Sequence, residues 1–159
     1  MKTILALSLT LITAGVPFLA SVGHAETQPP AAATAKAEVT AVTIYRPLGC
    51  GCCDAYADYL REHGFDVSIV DDNDFDQRSI AAGVPEQGIG CHLAMIDGYA
   101  VSGLVPVEII ERLLEERPEI TGITLPGMPG NAPGMAAEKS GTLKIYAFSP
   151  EGVSVYSNE

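Results

Sequence analysis

Apolar and polar positions along the chain follow regular patterns from residue 39 onward. Short β-branched runs that alternate with polar residues predict strands, and apolar residues at helical spacing predict helices. The predicted elements, in chain order, are a strand over 39–45, a helix over 54–63, a strand over 67–70, a helix over 75–82, a strand over 91–96, a strand over 99–101 and a helix from Pro106 to Arg117. Strands and helices are therefore predicted to mix along this region.

The turns between these elements predict how the strands pair. Asp97-Gly98 is a strong signal for a two-residue hairpin, so the strands on either side of it should be antiparallel. The first two predicted strands, which are separated by a helix, are instead expected to form a parallel pair. The order β-α-β-α-β-β-α, with a parallel pair followed by an antiparallel hairpin, is that of a thioredoxin-like α/β domain.

The last part of the chain is less regular. Residues 126–135 are too rich in Pro and Gly for the interior of a helix or strand, and they include Met128 and Met135. Beyond this Pro/Gly/Met-rich loop, alternating residues over 143–148 and 153–156 flank a turn that contains Pro and Gly. This pattern predicts a C-terminal β-hairpin.

The N-terminus has the features of a secretory signal peptide. Lys2 precedes a long apolar stretch, and Gly23-His24-Ala25 offers small residues at the positions that a signal peptidase recognises. An uncleaved anchor is disfavoured because the apolar run is short for a bilayer and no basic cluster follows it. We predict a cleaved signal over 1–25, export to the periplasm, a disordered Pro- and Ala-rich linker over 26–38 and a folded metal-binding domain over 39–159.

The chain is strongly acidic, with 9 basic and 20 acidic residues and a formal net charge of −11. Removal of the signal takes away Lys2 and leaves every acidic residue in place. Such a surface repels nucleic acid and anionic lipid, so neither is an expected partner. A domain of this length can bury a sufficient core without disulfides, and the four cysteines therefore require an explanation other than stability.

The four cysteines fall into two clusters, Cys50/Cys52/Cys53 and Cys91. In a thioredoxin-like domain the first helix begins where the first strand ends, and the loop that leads into the third strand packs beside that point. The predicted order therefore brings Cys91 close to the other three cysteines. A helix N-terminus also lowers the pKa of a thiol, which favours the thiolate that binds metals and attacks disulfides.

Three interpretations of these thiols are open. A pair of structural disulfides is common in exported proteins, and Cys50 and Cys53 have the Cys-x-x-Cys spacing of thiol–disulfide exchange. A metal site instead uses all four cysteines. Soft thiolates suit Cu(I) or Zn(II), but the neighbours Cys52 and Cys53 reach a single tetrahedral zinc awkwardly, whereas Cu(I) shares bridging thiolates. We therefore predict a Cu(I) site, with more than one ion per chain as a hypothesis.

Histidine and methionine residues extend the set of candidates. His92 directly follows Cys91 and is predicted as a fifth metal-site residue, either as a ligand or as a group that orients a cysteine. His63 lies at a predicted helix end, where it would cap the helix. Met128 and Met135 are soft thioethers and thus further candidate copper ligands, although methionine in a loop more often fills a gap.

Several motifs of this chain resemble a known bacterial family. They are Cys50-Gly51-Cys52-Cys53, Gly83-Val84-Pro85, Cys91-His92, Asp97-Gly98-Tyr99, Gly103-Leu104-Val105-Pro106, Pro126-Gly127-Met128-Pro129 and Pro133-Gly134-Met135. Over about residues 39–156 the chain resembles the domain-of-unknown-function family that includes the periplasmic copper-resistance protein CopG. The resemblance implies a thioredoxin-like fold, a copper-linked role in the bacterial envelope, and a metal site on the four cysteines with His92 beside them.

Residues and resemblance together predict a periplasmic protein that binds copper and contributes to copper tolerance or handling. Its expected partners are copper ions and other periplasmic copper-handling proteins. The alternative is a thiol–disulfide oxidoreductase that uses the Cys50–Cys53 pair. One position departs from the family pattern, because Tyr56 stands where many relatives are expected to have tryptophan. This difference should alter packing and leave the candidate ligands unchanged.

Overall fold

The computed structural model describes residues 39–137 and 139–159. Its elements are β1 (Ala41–Arg46), α1 (Gly51–Glu62), β2 (Asp66–Asp71), α2 (Phe75–Ala81), a 3-10 turn (Glu86–Gly88), β3 (Leu93–Ile96), β4 (Tyr99–Ser102), α3 (Val107–Glu116), β5 (Gly122–Thr124), β6 (Lys144–Ser149) and β7 (Gly152–Asn158). The predicted signal peptide over 1–25 and linker over 26–38 lie outside the described residues. Among the helices of the described part, none combines the length and apolar character that a bilayer crossing requires.

The strands form a seven-stranded sheet in the order β2-β1-β3-β4-β5-β6-β7. β1 pairs with β2 in parallel, and the β1–β3 and β3–β4 pairs are antiparallel. β4 and β5 are parallel, and β5, β6 and β7 continue as antiparallel neighbours. The α/β class, the parallel pair and both hairpins are thereby confirmed. The thioredoxin-like assignment, which rests on the order of the elements, stays a prediction.

Apolar side chains pack on both faces of the sheet. The larger core contains Tyr56 and Leu60 of α1 together with Ile110 and Leu113 of α3, all fully buried. A smaller cluster forms around Leu93 of β3. Because successive residues of a strand point to opposite faces, β3 contributes to both clusters and is buried on both sides. Each fully buried side chain of this size contributes about 1.5–3 kcal/mol to stability.

Two tyrosines of α1 hold this helix against the start of α3. The Tyr56 hydroxyl donates to the Val105 carbonyl at 2.7 Å. The Tyr59 hydroxyl accepts a hydrogen bond from the Val107 N–H at 2.9 Å, which satisfies one of the free donors at the first turn of α3. Tyr56 therefore supplies a polar anchor as well as packing.

Three differences from the predicted elements matter for the cysteines. α1 begins at Gly51 rather than Asp54, so Cys52 and Cys53 belong to its first turn. β3 begins at Leu93, and Cys91 therefore lies in the segment before the strand rather than within it. β5 is not predicted from the sequence, because three residues are too few to show an alternation.

Glycine residues let the segment before β3 lie directly against neighbouring backbone. A Cβ at Gly90 would lie 2.3 Å from the Cα of Gly103. Gly103 itself has a φ of +80°, and a Cβ there would lie 2.3 Å from the carbonyl oxygen of Leu125. Gly90 also forms a β-bridge with Gly127. The residue before Cys91 and the start of the Met-containing loop are thus held side by side.

We expect Gly90→Ala to destabilise the protein by about 3 kcal/mol, the upper range for overpacking, because the added methyl group has to displace backbone. Gly130→Ala is the matched control, since Gly130 has open space at the position of a Cβ. Urea unfolding followed by circular dichroism measures the free energy of unfolding of both variants. Equal stability of the two would contradict the close approach of Gly90 and Gly103.

Candidate metal site

The four cysteines meet where β1 ends and the segment before β3 begins. Cys50 directly precedes α1, Cys52 and Cys53 lie in its first turn, and Cys91 lies two residues before β3. Their four Sγ atoms all lie within 4.8 Å of one another. The predicted meeting of the two cysteine clusters is thereby confirmed, while the role of these residues as metal ligands stays a prediction.

The backbone between β1 and α1 positions Cys50. Gly49 has a φ of +81°, a conformation that favours glycine, and the Cys50 N–H donates to the carbonyl three residues earlier at 3.2 Å. The largely buried Arg46 forms ion pairs with Asp54 of α1 at 3.1 Å and with Asp71 of β2 at 2.9 Å. Because one guanidinium joins three elements, the start of α1 is fixed relative to β1.

Cys50 and Cys53 form a disulfide, and Cys52 and Cys91 are free thiols. The Sγ of Cys52 lies 3.4 Å from the Sγ of Cys50. The Sγ of Cys53 lies 3.4 Å from the carbonyl oxygen of Cys91. The oxidised pair is therefore the Cys-x-x-Cys pair of the oxidoreductase interpretation, and the site holds one disulfide rather than two.

The two free thiols differ in their surroundings. Cys91 is only 8% exposed, and burial raises the pKa of its thiol far above the usual range, with the nearby Cys52 sulfur adding to the rise. Cys52 is half-buried and lines an open groove. Cys91 is therefore a protonated thiol at neutral pH, since thiolate forms only near and above the pKa.

His92 is fully buried behind Cys91. Its Nδ1 atom lies 3.3 Å from the Cys91 Sγ, and its ring packs 4.8 Å from the ring of Tyr56. Burial lowers the pKa of His92 to about 3, so the imidazole is neutral at physiological pH. Its Nε2 has no hydrogen-bond partner among the described residues. His92 lies outside the group of four sulfurs and touches it through Cys91, which favours an orienting role.

The structure separates the two candidate methionines. The Sδ of Met128 lies 3.9 Å from the Sγ of Cys52, so this thioether lies beside the four cysteines. Met135 instead lines a separate pocket beside Ala55 and Tyr59 of α1. No sequence signal distinguishes the two residues, because both follow glycine in a Pro-Gly-Met motif.

The sulfur atoms open onto a shallow groove. Its lining includes Leu48, Phe75, Ile89 and Met128 in addition to cysteines, and none of the described residues that line it carries a charge. Hard cations such as Ca²⁺ and Mg²⁺ require oxygen ligands, whereas sulfur selects soft ions. The groove therefore fits a soft metal ion, in spite of the acidic character of the whole chain.

Comparisons with known proteins agree with this geometry. The family model described as "Protein of unknown function, DUF411" matches residues 89–135, whereas no curated protein matches the chain. Two solved structures of a copper resistance protein, CopG, in form 2 and form 1, have TM-scores of 0.70 and 0.69 and sequence identities of 31% and 32%. Each covers 77% of this chain, and the matches span 99% and 98% of the two CopG chains. The chain belongs to the DUF411/CopG family.

Membership of the DUF411/CopG family confirms the resemblance inferred from the motifs. The segment matched by the family model contains Cys91, His92 and both loop methionines. The structural matches span nearly the whole CopG chains, so the likeness extends to the fold and not only to this segment.

We expect iodoacetamide to alkylate Cys52 much faster than Cys91 in the native, oxidised protein. Cys91 is buried and its raised pKa leaves little thiolate to react, while the disulfide blocks Cys50 and Cys53. Peptide mass mapping at successive times measures both rates. Unfolding in urea is the control and should make the two cysteines equally reactive. Equal rates in the native protein would contradict the burial of Cys91.

Proposed function

We propose that this chain is a periplasmic copper-binding protein that contributes to copper tolerance or handling. In this proposal Cys50, Cys52, Cys53 and Cys91 hold Cu(I), and His92 supports them. The observation that carries the proposal is the convergence of four sulfur atoms within 4.8 Å in a member of the DUF411/CopG family. CopG is named for copper resistance, and the donor set of this chain suits the same metal.

The placement of Cys52 and Cys53 supports more than one copper ion per chain. Cys53 is fully buried against the carbonyl of Cys91, whereas Cys52 faces the groove beside Met128. Zinc sites usually gather four ligands around one ion. Sulfurs that face two different surroundings are better suited to bridge several Cu(I) ions, each of which accepts few ligands.

The disulfide restricts when this copper site can form. While Cys50 and Cys53 are joined, only Cys52 and Cys91 can supply thiolates. Reduction by an external dithiol transfers two electrons, breaks the S–S bond and converts the dithiol into its own disulfide. We therefore expect full copper occupancy only in the reduced protein.

Anaerobic Cu(I) titration of the reduced protein against a chelator of known affinity tests the proposal. We expect tight binding of more than one Cu(I) per chain and weaker binding by the disulfide form. Cys52→Ser and Cys91→Ser should each lower the Cu(I) affinity by at least about 100-fold. Loss of a direct ligand should cost at least as much as the largest loss seen when a residue that only supports a ligand is removed. Weak binding by the reduced wild type would overturn the copper site, and one ion per chain would overturn the shared cluster.

Two histidines offer a matched pair of variants in the same titration. His92→Ala should lower the Cu(I) affinity about tenfold or more, the usual cost of losing a group that orients a ligand. His63→Ala should not, because His63 lies at the other end of α1 with its Nδ1 2.8 Å from the carbonyl oxygen of Tyr59. His92→Gln keeps a polar side chain in case the alanine cavity unfolds the protein. If both His92 variants bind Cu(I) as tightly as the wild type, His92 has no role in the proposed copper site.

A thiol–disulfide oxidoreductase is the second candidate function, because the Cys50–Cys53 pair is oxidised. Cys50 lines the groove and Cys53 is fully buried. An incoming thiolate would therefore attack the Sγ of Cys50, break the S–S bond and release the thiolate of Cys53. Neither Cys91 nor His92 is needed for that step.

One variant separates the two functions. Cys91→Ser removes a proposed copper ligand but leaves the disulfide pair intact, so copper binding should weaken and any thiol exchange should persist. Under the copper proposal we expect the wild type to accelerate the reduction of insulin by dithiothreitol no more than Cys50→Ser does. An acceleration that is retained by Cys91→Ser and lost in Cys50→Ser would favour the oxidoreductase.

A further inference from the structure

The sulfur atoms of this region form a series from the protein surface to the interior. Met128 is 57% exposed, Cys52 is half-buried, Cys91 is 8% exposed and Cys53 is fully buried. The Sδ of Met128 lies 3.9 Å from the Sγ of Cys52, which lies 3.4 Å from the Sγ of Cys50. A soft ion that starts at the surface therefore meets thioether sulfur first and thiol sulfur next.

The position of Met128 is set by the backbone rather than by packing of its own side chain. Its neighbour Gly127 forms a β-bridge with Gly90. At the other end of the loop, a Cβ on Gly134 would lie 2.7 Å from the carbonyl oxygen of Cys52. The loop is thus held at both ends, and Met128 is presented beside Cys52 although most of its surface remains in solvent. An apolar side chain in such a place gains little from burial.

The groove around this pair is suited to an incoming molecule that carries Cu(I) on soft ligands. Leu48, which is 71% exposed, lines the same groove as Met128 and Cys52. The described lining residues bear no charge, so an approaching copper carrier with thioether or thiolate ligands meets no fixed charge at the point of contact. Carboxylate-based carriers of hard ions find no matching partner there.

We propose that Met128 and Cys52 form a two-sulfur port through which Cu(I) enters and leaves the site by ligand exchange. The proposal rests on the proposed copper-binding function and adds a route by which Cu(I) reaches the inner cysteines. Copper stays Cu(I) throughout. A bond from copper to the carrier's sulfur breaks as a bond to the Met128 thioether forms. The Cys52 thiol then loses its proton to solvent as its sulfur bonds to copper and the bond from copper to the thioether breaks. The inner cysteines retain the ion.

Stopped-flow transfer of Cu(I) from its coloured bicinchoninate complex to the reduced protein tests the port. Met128→Leu removes the sulfur at nearly constant volume, and Met135→Leu makes the same change in the same loop away from the cysteines. We expect Met128→Leu to slow uptake about tenfold while the equilibrium affinity changes less than the rate. Met135→Leu should leave both unchanged. Release to excess chelator should slow by the same factor, because a port serves both directions.

Three other results would each overturn either the port or the proposed function. Equal uptake rates in Met128→Leu, Met135→Leu and the wild type would overturn the port while leaving the copper site intact. A loss of affinity in Met128→Leu that matches or exceeds the loss of rate would make Met128 a resident ligand and also overturn the port. Failure of the wild type itself to take up Cu(I) would instead overturn the proposed function.

Discussion

The antiparallel pairing of β1 with β3 is the contact on which the sulfur site depends. Tyr45 lies opposite Leu93, so the end of β1 and the start of β3 are neighbours. Cys50 follows β1 after a short turn, and Cys91 precedes β3. Leu93 and Ala94 pack in different cores, which locks the register because a slip of one residue would exchange their faces. The distance between the two cysteine clusters is therefore a consequence of core packing.

A second constraint is backbone contact that only glycine permits. Gly90 and Gly103 approach so closely that a side chain at Gly90 would collide with backbone, and Gly90 bridges Gly127 at the start of the loop. Gly134 also lies close to the first turn of α1, where a Cβ would be 2.7 Å from the carbonyl oxygen of Cys52. The loop that carries Met128 is thereby attached to both cysteine-bearing segments, so its thioether reaches the sulfurs without a packing role of its own.

The meeting of the cysteine clusters could be predicted because the order of strands and helices already indicates that the end of β1 lies beside the segment before β3. The start of α1 could not, since Cys50 occupies the N-cap position without the side-chain hydrogen bond that Ser, Thr, Asp or Asn would signal. The sequence also could not indicate which of Met128 and Met135 lies beside the cysteines. Both have the same local motif, and the difference arises from contacts of the loop with distant backbone at Gly90.

In the proposed function, copper binding and disulfide formation compete for the same sulfur atoms. The Cys50–Cys53 disulfide removes two of the four sulfurs from the ligand set, while Cys52 and Cys91 remain thiols on either side of it. Oxidation and metal loading therefore oppose each other: metal-bound thiolates are protected from oxidation, and oxidised ones cannot bind metal. Under the proposed function, the redox state of the surroundings, rather than the fold, sets how many of the four sulfurs are free to bind copper. The fold keeps the four sulfur atoms within 4.8 Å of one another, which is close enough for the disulfide or for the proposed copper site.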